Sequence, residues 1–570
     1  MNYDMILIHA PSIYDFRNRD DILFAYLSNS DSVHVSPIFE MPPVGMLAIN
    51  QYLKSRGFQV EYFNIASYMI RYPDFDVREF FEKVSSEFIG FDLHWLAHAH
   101  GSTEMAKLYK EIHPAAKTVF GGLSSTYYHE ELVDYPHVDY VVRGYDTFLP
   151  LELLLKSKNN NNKLRTIPNL TWKNNNEIHV NPLSHKPSHY NAHIDWIEIF
   201  NHQRQNMTAY NIVIPQVNCE YNCKFCGGSR YFYDKYMSTR NVIRKTPEML
   251  QRELQSIVDS QSNDHTITMI NFWHEYRSIA DLAVDVFRAE NINTVHFSLH
   301  RLPDIEHFRS QVRSAKAIVE LSPDSHDLSI AQAMGRGKYT MEEMEDFFDA
   351  LLDDVFIFEV YFMIGLPHQS ADDVRRDVDY CEHLIKKYRG KKVIPYICPM
   401  LPFLDPGCEI FDNASKFGYR ILHRTLEDHR KALLNMNWKY RTNYETDVLN
   451  RDELVKISYE AIRKLTLIKN NFGILPTGIA HDIVNLIDST CELFDEIESY
   501  EKMPESERKI IIEKNLKQKI LMYNQDQLTT VRSQQRPVDF GFAKQQWFDT
   551  DEAINQVMCE RPTVGLGRIA

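Results

Sequence analysis

The sequence predicts an α/β protein with a doubly wound parallel sheet first, a partial (β/α)6 barrel next and a helical region last. Three observations predict it. Short apolar runs alternate with helix-period segments over about residues 1–157, the signature of βαβ units. The same alternation resumes from about 205 to 410. The C-x3-C-x2-C run of Cys219, Cys223 and Cys226 directly follows the first apolar run of that second block. It therefore falls at a strand's carboxyl end, where barrels of this kind carry their chemistry.

In the first block, Met5–Ala10 reads as a buried strand, and Pro43–Arg56 as a helix closed by Gly57. Further strands are expected at 59–65, 88–94, 117–122 and 138–144, with helices at 76–86, 102–112 and from Leu149 to Leu155. Ligands of such sheets bind in the crevice beyond the strands' carboxyl ends. The loops after Ala10, His94, Gly122 and Gly144 are thus the ones expected to surround a site.

Residues 158–204 read as a linker. The run Asn159–Asn162 has neither apolar period nor core residues, and a short hairpin is expected to follow, around Lys173–Asn176. The barrel block, 205–410, offers strands at 211–217, 266–271, 294–298, 315–321, 355–364 and 392–397. Helical segments near 247–259, 277–289, 305–313, 341–352 and 371–388 separate them. Residues 411–570 form a helical region and an extension, polar and poorly patterned from Lys502 until Phe540–Trp547.

Composition narrows the function class. Of 570 residues, 44% are hydrophobic and 25% charged, ordinary globular usage. A net charge of −15 argues against a nucleic-acid surface, which needs clustered Lys and Arg. No apolar run approaches the ~18 residues of a membrane span, because Glu359 interrupts the longest candidate, Val355–Pro367. The first ten residues lack a basic signal-peptide start. Eight cysteines, three of them clustered, do not make a disulfide framework. A cytoplasmic protein is the expectation.

The run Asn218-Cys-Glu-Tyr-Asn-Cys-Lys-Phe-Cys-Gly-Gly-Ser229 places three thiols within eight residues. Three thiolates can hold three corners of a cubane iron–sulfur cluster, leaving one iron open to a small molecule. A zinc knuckle or three unrelated thiols are the alternatives, but zinc needs a fourth ligand at short spacing, and His265 and Cys381 are far along the chain. Phe225 precedes the third Cys, and Gly227 and Gly228 follow it, allowing close backbone approach to a ligand. Cys398 and Cys408, near the expected barrel mouth, are too few for a second cluster and read as buried structural cysteines.

This loop resembles the radical S-adenosylmethionine (SAM) superfamily. That resemblance implies a [4Fe-4S] cluster on Cys219, Cys223 and Cys226, and SAM chelated to the fourth iron. It also implies cleavage of SAM to a 5′-deoxyadenosyl radical and an external electron donor such as flavodoxin or ferredoxin. Carried over residue by residue, Phe225 and Gly227 flank the cofactor, Glu275 accepts from the SAM amino group, Ser322 meets the ribose and Arg336 the carboxylate. Gly365-Leu-Pro367 matches the family's turn after the fifth strand.

With the domain before it, residues 1–410 resemble the cobalamin-binding-domain radical SAM proteins. Matching pieces are Pro43-Val-Gly45, Phe120-Gly-Gly-Leu-Ser124 and the run Pro136–Gly144. The resemblance implies cobalamin held by backbone at Gly121 and Gly122 and by the Ser124 hydroxyl. It also implies methylation of an unactivated carbon of a small-molecule or peptide substrate. The chain departs from the family at Gly144-Tyr-Asp-Thr147, where many members read Gly-Glu-x-Glu. Asp92-Leu-His94 invites comparison with the D-x-H-x-x-G cobalt-ligand motif, but it follows the third strand, not the first, and Ala97 replaces the glycine. Two other readings stay open: radical rearrangement, cyclisation or epimerisation with a degenerate first domain, and an iron–sulfur sensor or electron-transfer module.

Overall fold

The computed structural model describes residues 2–25, 43–158, 160–174, 177–201, 209–259, 265–269, 277–289, 294–389, 392–400, 404–507 and 512–534. The expected α/β architecture is present. The first sheet is built from β1 (Asn2–His9), β2 (Val60–Asn64), β3 (Ser85–Asp92), β4 (Lys117–Gly121) and β5 (Tyr140–Val142), all parallel. Its order is β2-β1-β3-β4-β5, so the direction of winding reverses between β1 and β3. The expected hairpin, β6 (Leu170–Asn174) and β7 (Glu177–Val180), continues this sheet, because β6 pairs antiparallel with β5.

The second sheet begins with β8 (Ala209–Val213). A single strand was expected over 211–217, but the chain breaks it at Pro215, which has no amide hydrogen to donate to a ladder. Beyond it, β9 (Gln216–Val217) pairs antiparallel with β10 (Ile243–Arg244), turning the chain toward the cysteine loop. The remaining strands are β11 (His265–Met269), β12 (Thr294–Leu299), β13 (Lys316–Asp324), β14 (Ile357–Ile364) and β15 (Val393–Pro399). The six are parallel and ordered β15-β14-β13-β12-β11-β8, a partial barrel. The fourth of them outruns the expected 315–321, since a bulge between Leu321 and Asp324 lets pairing resume at Asp324.

Parity decides which residues face inward. Phe297 and Phe358 touch Phe308 and Phe347 of the outer helices, so alternate residues His296, Ser298, Glu320, Glu359 and Tyr361 line the concave face. The C-terminal part adds a short hairpin, β16 (Tyr419–Ile421) with β17 (Tyr444–Thr446), and the helices Arg451–Asn471 and Thr477–Glu501. Beyond Lys502 an unpatterned extension was expected. Instead a helix, Lys517–Gln534, docks on the loop after β1: Asn524 Nδ2 donates to Arg19 O and Ile22 O, and its Oδ1 accepts from Phe24 N. Leu516 and Ile520 join Leu23, Trp438 and Tyr459 in a third core. The Phe540–Trp547 segment lies outside the described residues. Among the described residues, no helix is long and apolar enough to cross a membrane.

A buried histidine, His429, is held within the C-terminal part. His429 Nδ1 donates to Thr425 O at 2.8 Å, and its Nε2 accepts from Asn443 Nδ2 at 3.1 Å. Burial pushes its pKa down to about 4, and that of His100 down to about 3. Both must stay neutral in the fold, whereas the unfolded chain protonates them near pH 6.5. Their stabilisation is therefore complete above about pH 6.5 and falls as pH drops toward 4, by about 1.4 kcal/mol per pH unit for each histidine. Denaturation midpoints should fall between pH 7.5 and 5, and His429→Gln should flatten that slope. An unchanged slope in the variant would contradict the assignment.

Candidate active site

The cysteine loop is clamped from three directions. Asn218 holds its entrance: it sits in the left-handed region (φ 69°), and its side chain accepts from Cys219 N and donates to Asn241 O. Lys224 N donates to Met334 O, and at Gly335 a Cβ would stand 2.7 Å from Asn222 O, so the turn after β13 lies directly on the loop. Glu409 accepts from both Asn222 Nδ2 and Lys224 Nζ. From the same segment as Glu409, Asp405 Oδ2 accepts from Gly227 N at 2.9 Å. A Cβ at Gly227 would meet Asp405 at 2.8 Å. The space that this glycine was expected to leave for a ligand is thus filled by a carboxylate.

The thiols of Cys219, Cys223 and Cys226 are free and close enough to perturb one another. Burial pushes all three up, Cys219 to about 12. Backbone N–H groups point at two of the sulfurs, Tyr221 N at Cys219 Sγ (3.4 Å) and Gly228 N at Cys226 Sγ (3.3 Å). Three converging thiols that burial keeps protonated form thiolates once a metal compensates their charge. The donor set therefore fits a cationic cluster.

Arg336 is the cation beside them. Its guanidinium stands 5.9 Å over the Phe225 ring, and Nε lies 3.4 Å from Asp324 Oδ2. Burial pulls its pKa down, but Asp324 and then Cys223 outweigh that, and the net direction is up. Burial pushes Asp324 to about 6 despite Arg336, because the pair is close without being hydrogen-bonded. Arg336 Nε and Nη1 and both Asp324 oxygens are buried without a hydrogen-bond partner among the described residues. A guanidinium with spare donors beside an aromatic ring and an open metal corner fits a ligand carboxylate.

Ser322 lies on the concave face, where its hydroxyl donates to Glu320 Oε1 at 3.4 Å. Glu275 lies outside the described residues. Gly365 is structural: a Cβ there would stand 2.4 Å from Tyr444 Oη, and Gln369 Oε1 accepts from Gly365 N and Leu366 N. Cys408 caps a short helix, its Sγ accepting from Phe411 N.

Sequence reasoning missed a buried polar group on the concave face. Glu320 and Glu359 are register partners on neighbouring strands, and His296 Nε2 lies 3.7 and 3.5 Å from their carboxylates. The available signal was acidic residues at one parity inside two apolar runs.

A second site opens at the carboxyl edge of the first sheet, a cavity of about 420 Å³, within the range of ligand sites. Its depth is apolar (Met5, Leu7, Gly90, Val119, Val142), and its rim carries Gly121, Gly122, His94 and Thr147. Gly122 has φ 116°, and a Cβ on it would lie 2.4 Å from His94 Cα, so no other residue fits there. Ser124, expected to touch a ligand, is buried and does not line the cavity. The far wall is Ile212, Ile214 and Tyr233, so the cavity lies between the first sheet and the barrel. An apolar slot with a glycine rim fits the flat base and backbone-bound ring of a corrin nucleotide.

Comparison with known proteins agrees with this geometry. Residues 33–151 match the B12 binding domain model and residues 213–381 the Radical SAM superfamily model. Similar solved structures include TsrM from Kitasatospora setae, a radical S-adenosylmethionine methyltransferase with tryptophan substrate and a SAM analog bound. It is 14% identical, with TM-score 0.56, covering 82% of this chain and 89% of that one. OxsB, a cobalamin-dependent S-adenosylmethionine radical enzyme with aqua-cobalamin and SAM bound, is 13% identical with TM-score 0.52, covering 93% and 79%. At these identities the likeness is one of fold. No curated protein matches the sequence. The match over residues 213–381 places the cysteine loop, at the mouth of the partial barrel, within a radical SAM domain. A match to the B12 binding domain over residues 33–151 precedes it, so the chain pairs a B12-binding domain with a radical SAM domain.

Proposed function

We propose that the protein methylates an unactivated carbon of a small-molecule or peptide substrate, using SAM, a [4Fe-4S] cluster and cobalamin. The observation that carries this reading is Tyr233. It lines the cavity of the first sheet and is also close enough to Cys219 and Cys226 for their charges to act on it. The two candidate cofactor sites therefore share a wall.

When bound, the cluster and SAM supply a carbon-centred radical, and cobalamin supplies a methyl carrier. The chain's own residues do the holding. Cys219, Cys223 and Cys226 hold the cluster and leave one iron for SAM, whose carboxylate Arg336 binds while Phe225 packs beside it. Ser322 is within the reach of the same ligand, on the face where Glu320 orients its hydroxyl. Asp405 keeps the Gly227 backbone in place through a hydrogen bond the loop cannot make for itself. The concave barrel face, with paired acids and His296, excludes bulk water and orients a polar substrate, and Gly121 and Gly122 let backbone approach the corrin.

Val142→Trp fills the cavity at an overpacking cost of about 1–3 kcal/mol. The purified variant should lose corrinoid absorbance and S-adenosylhomocysteine formation yet still cleave SAM to 5′-deoxyadenosine. If the parent retains no corrinoid while still cleaving SAM, cobalamin-independent radical chemistry is the correct reading.

A further inference from the structure

We propose that the substrate is anchored inside the barrel through a protonated amine, held by Glu359 and Glu320. The assignment rests on the function proposed above and names the class of molecule that the barrel admits.

Strand register sets the layers of the concave face. Ser298, Glu320 and Glu359 are partners across three neighbouring strands, while His296 pairs one layer further from the mouth, with Ile318. Ser322 stands two residues beyond Glu320 toward the mouth, a rise of about 7 Å. A molecule entering past Ser322 therefore meets the two carboxylates first. The imidazole backs them, with His296 Nε2 3.7 Å from Glu320 and 3.5 Å from Glu359.

The donors already present do not use up the pair. Glu320 Oε1 accepts from the Ser298 and Ser322 hydroxyls at 3.3 and 3.4 Å, and Glu359 Oε2 from Tyr361 Oη at 3.2 Å. Glu359 is only 7% exposed, yet its Oε1 takes no hydrogen bond among the described residues. Among those residues neither acid is ion-paired to a lysine or an arginine, and the buried Lys469 ammonium lies 3.9 Å over the Tyr396 ring instead. A protonated His296 would still leave one negative charge over. Burial pushes the Glu320 carboxyl up against the pull of His296, and Glu359 pushes it further. An open buried acceptor and a surplus negative charge both call for a cation.

The shape of the site favours an amine. An ammonium puts three donors on one compact centre, so it can reach carboxylates on two adjacent strands at once. An anion is repelled there, and a neutral group leaves the surplus charge in place. Beside the acids, Tyr361 and Tyr396 stack at 4.9 Å and 17°, a flat wall for a carbon chain running up toward Ser322. The carbon attacked therefore lies several bonds from the nitrogen.

The test is ligand-observed nuclear magnetic resonance of the full chain, reconstituted with its cluster and saturated with S-adenosylhomocysteine, which fills the SAM site without being cleaved. The probes are n-hexylamine, 1-hexanol and hexanoate. Hexylammonium should bind about tenfold or more tightly than hexanol, and hexanoate should not compete with it. Glu359→Gln and Glu320→Gln should each erase that preference while leaving hexanol binding unchanged. One-electron reduction makes the cluster paramagnetic, and should broaden the terminal methyl of bound hexylammonium more than the methylene beside nitrogen. That readout needs no variant. Equal affinity for amine and alcohol, a preference that survives in both variants, or broadening no greater at the methyl end would overturn the assignment. Absence of 5′-deoxyadenosine formation from SAM by the parent would overturn the proposed function, whether or not the amine binds.

Discussion

Cys223→Ala should abolish SAM cleavage. Cys223 is the most buried of the three thiols by exposed surface, at 5%, and the Gly335–Arg336 turn lies against its backbone, with a Cβ at Gly335 only 3.6 Å from Cys223 Cα. A solvent molecule cannot readily take its place as a ligand. Changes to residues that merely support a metal ligand cost about 10–100-fold in affinity or activity, and removal of one of three ligands should exceed that range. Iron and sulfide content after anaerobic reconstitution, and 5′-deoxyadenosine formation, should both fall to background. Substantial SAM cleavage by the variant would mean that these thiols do not hold the cluster. Asp405→Asn provides the graded counterpart. Asn keeps an acceptor for Gly227 N, so the cluster should assemble, whereas Asp405→Leu should impair assembly.

Asp324→Ala should destabilise the protein by about 3–5 kcal/mol, the cost of leaving a buried charge without its partner. Arg336 would lose the carboxylate it is paired with among the described residues, 3.4 Å away, in a pocket where its side chain is 10% exposed. Two effects need separating, because Asp324 also sits in the left-handed region at φ 68°, where Ala is strained and Asn is tolerated. Asp324→Asn should therefore lose the charge pairing but not the backbone fit, and be the less damaged of the two. Guanidinium denaturation measures both, and SAM titration should show weaker binding in each variant. A stability within about 0.5 kcal/mol of the parent, the range of an ordinary surface change, would contradict the pairing.

The two candidate sites were legible in the sequence to different degrees. Cys219, Cys223, Cys226 and Phe225 are local, and spacing alone brings them together. Gly121 and Gly122 were legible as glycines but not for the right neighbour: at Gly122 the tight contact is the His94 backbone. Gly227 shows the same limit, since its partner Asp405 arrives from 178 residues away. The pairing of Glu320 with Glu359 depends on strand register, which no composition reveals. His94 was visible as a residue, yet its placement turned on the order of strands in the sheet. The fold was legible wherever apolar period was strong. It failed at Pro215, where one apolar run makes two strands. It failed again at Lys517–Gln534, where hydrogen bonds from Asn524 and Gln525 and a few buried residues such as Ile520, without a strong apolar period, dock the helix.

In the proposed function, the cysteine loop cleaves SAM reductively beside a corrin site. The most direct measurement is 5′-deoxyadenosine released by the anaerobically reconstituted full chain given SAM and a strong reductant. Release that depends on the reductant and disappears in Cys223→Ala is the predicted result. No 5′-deoxyadenosine from protein shown to carry its iron and sulfide would contradict it.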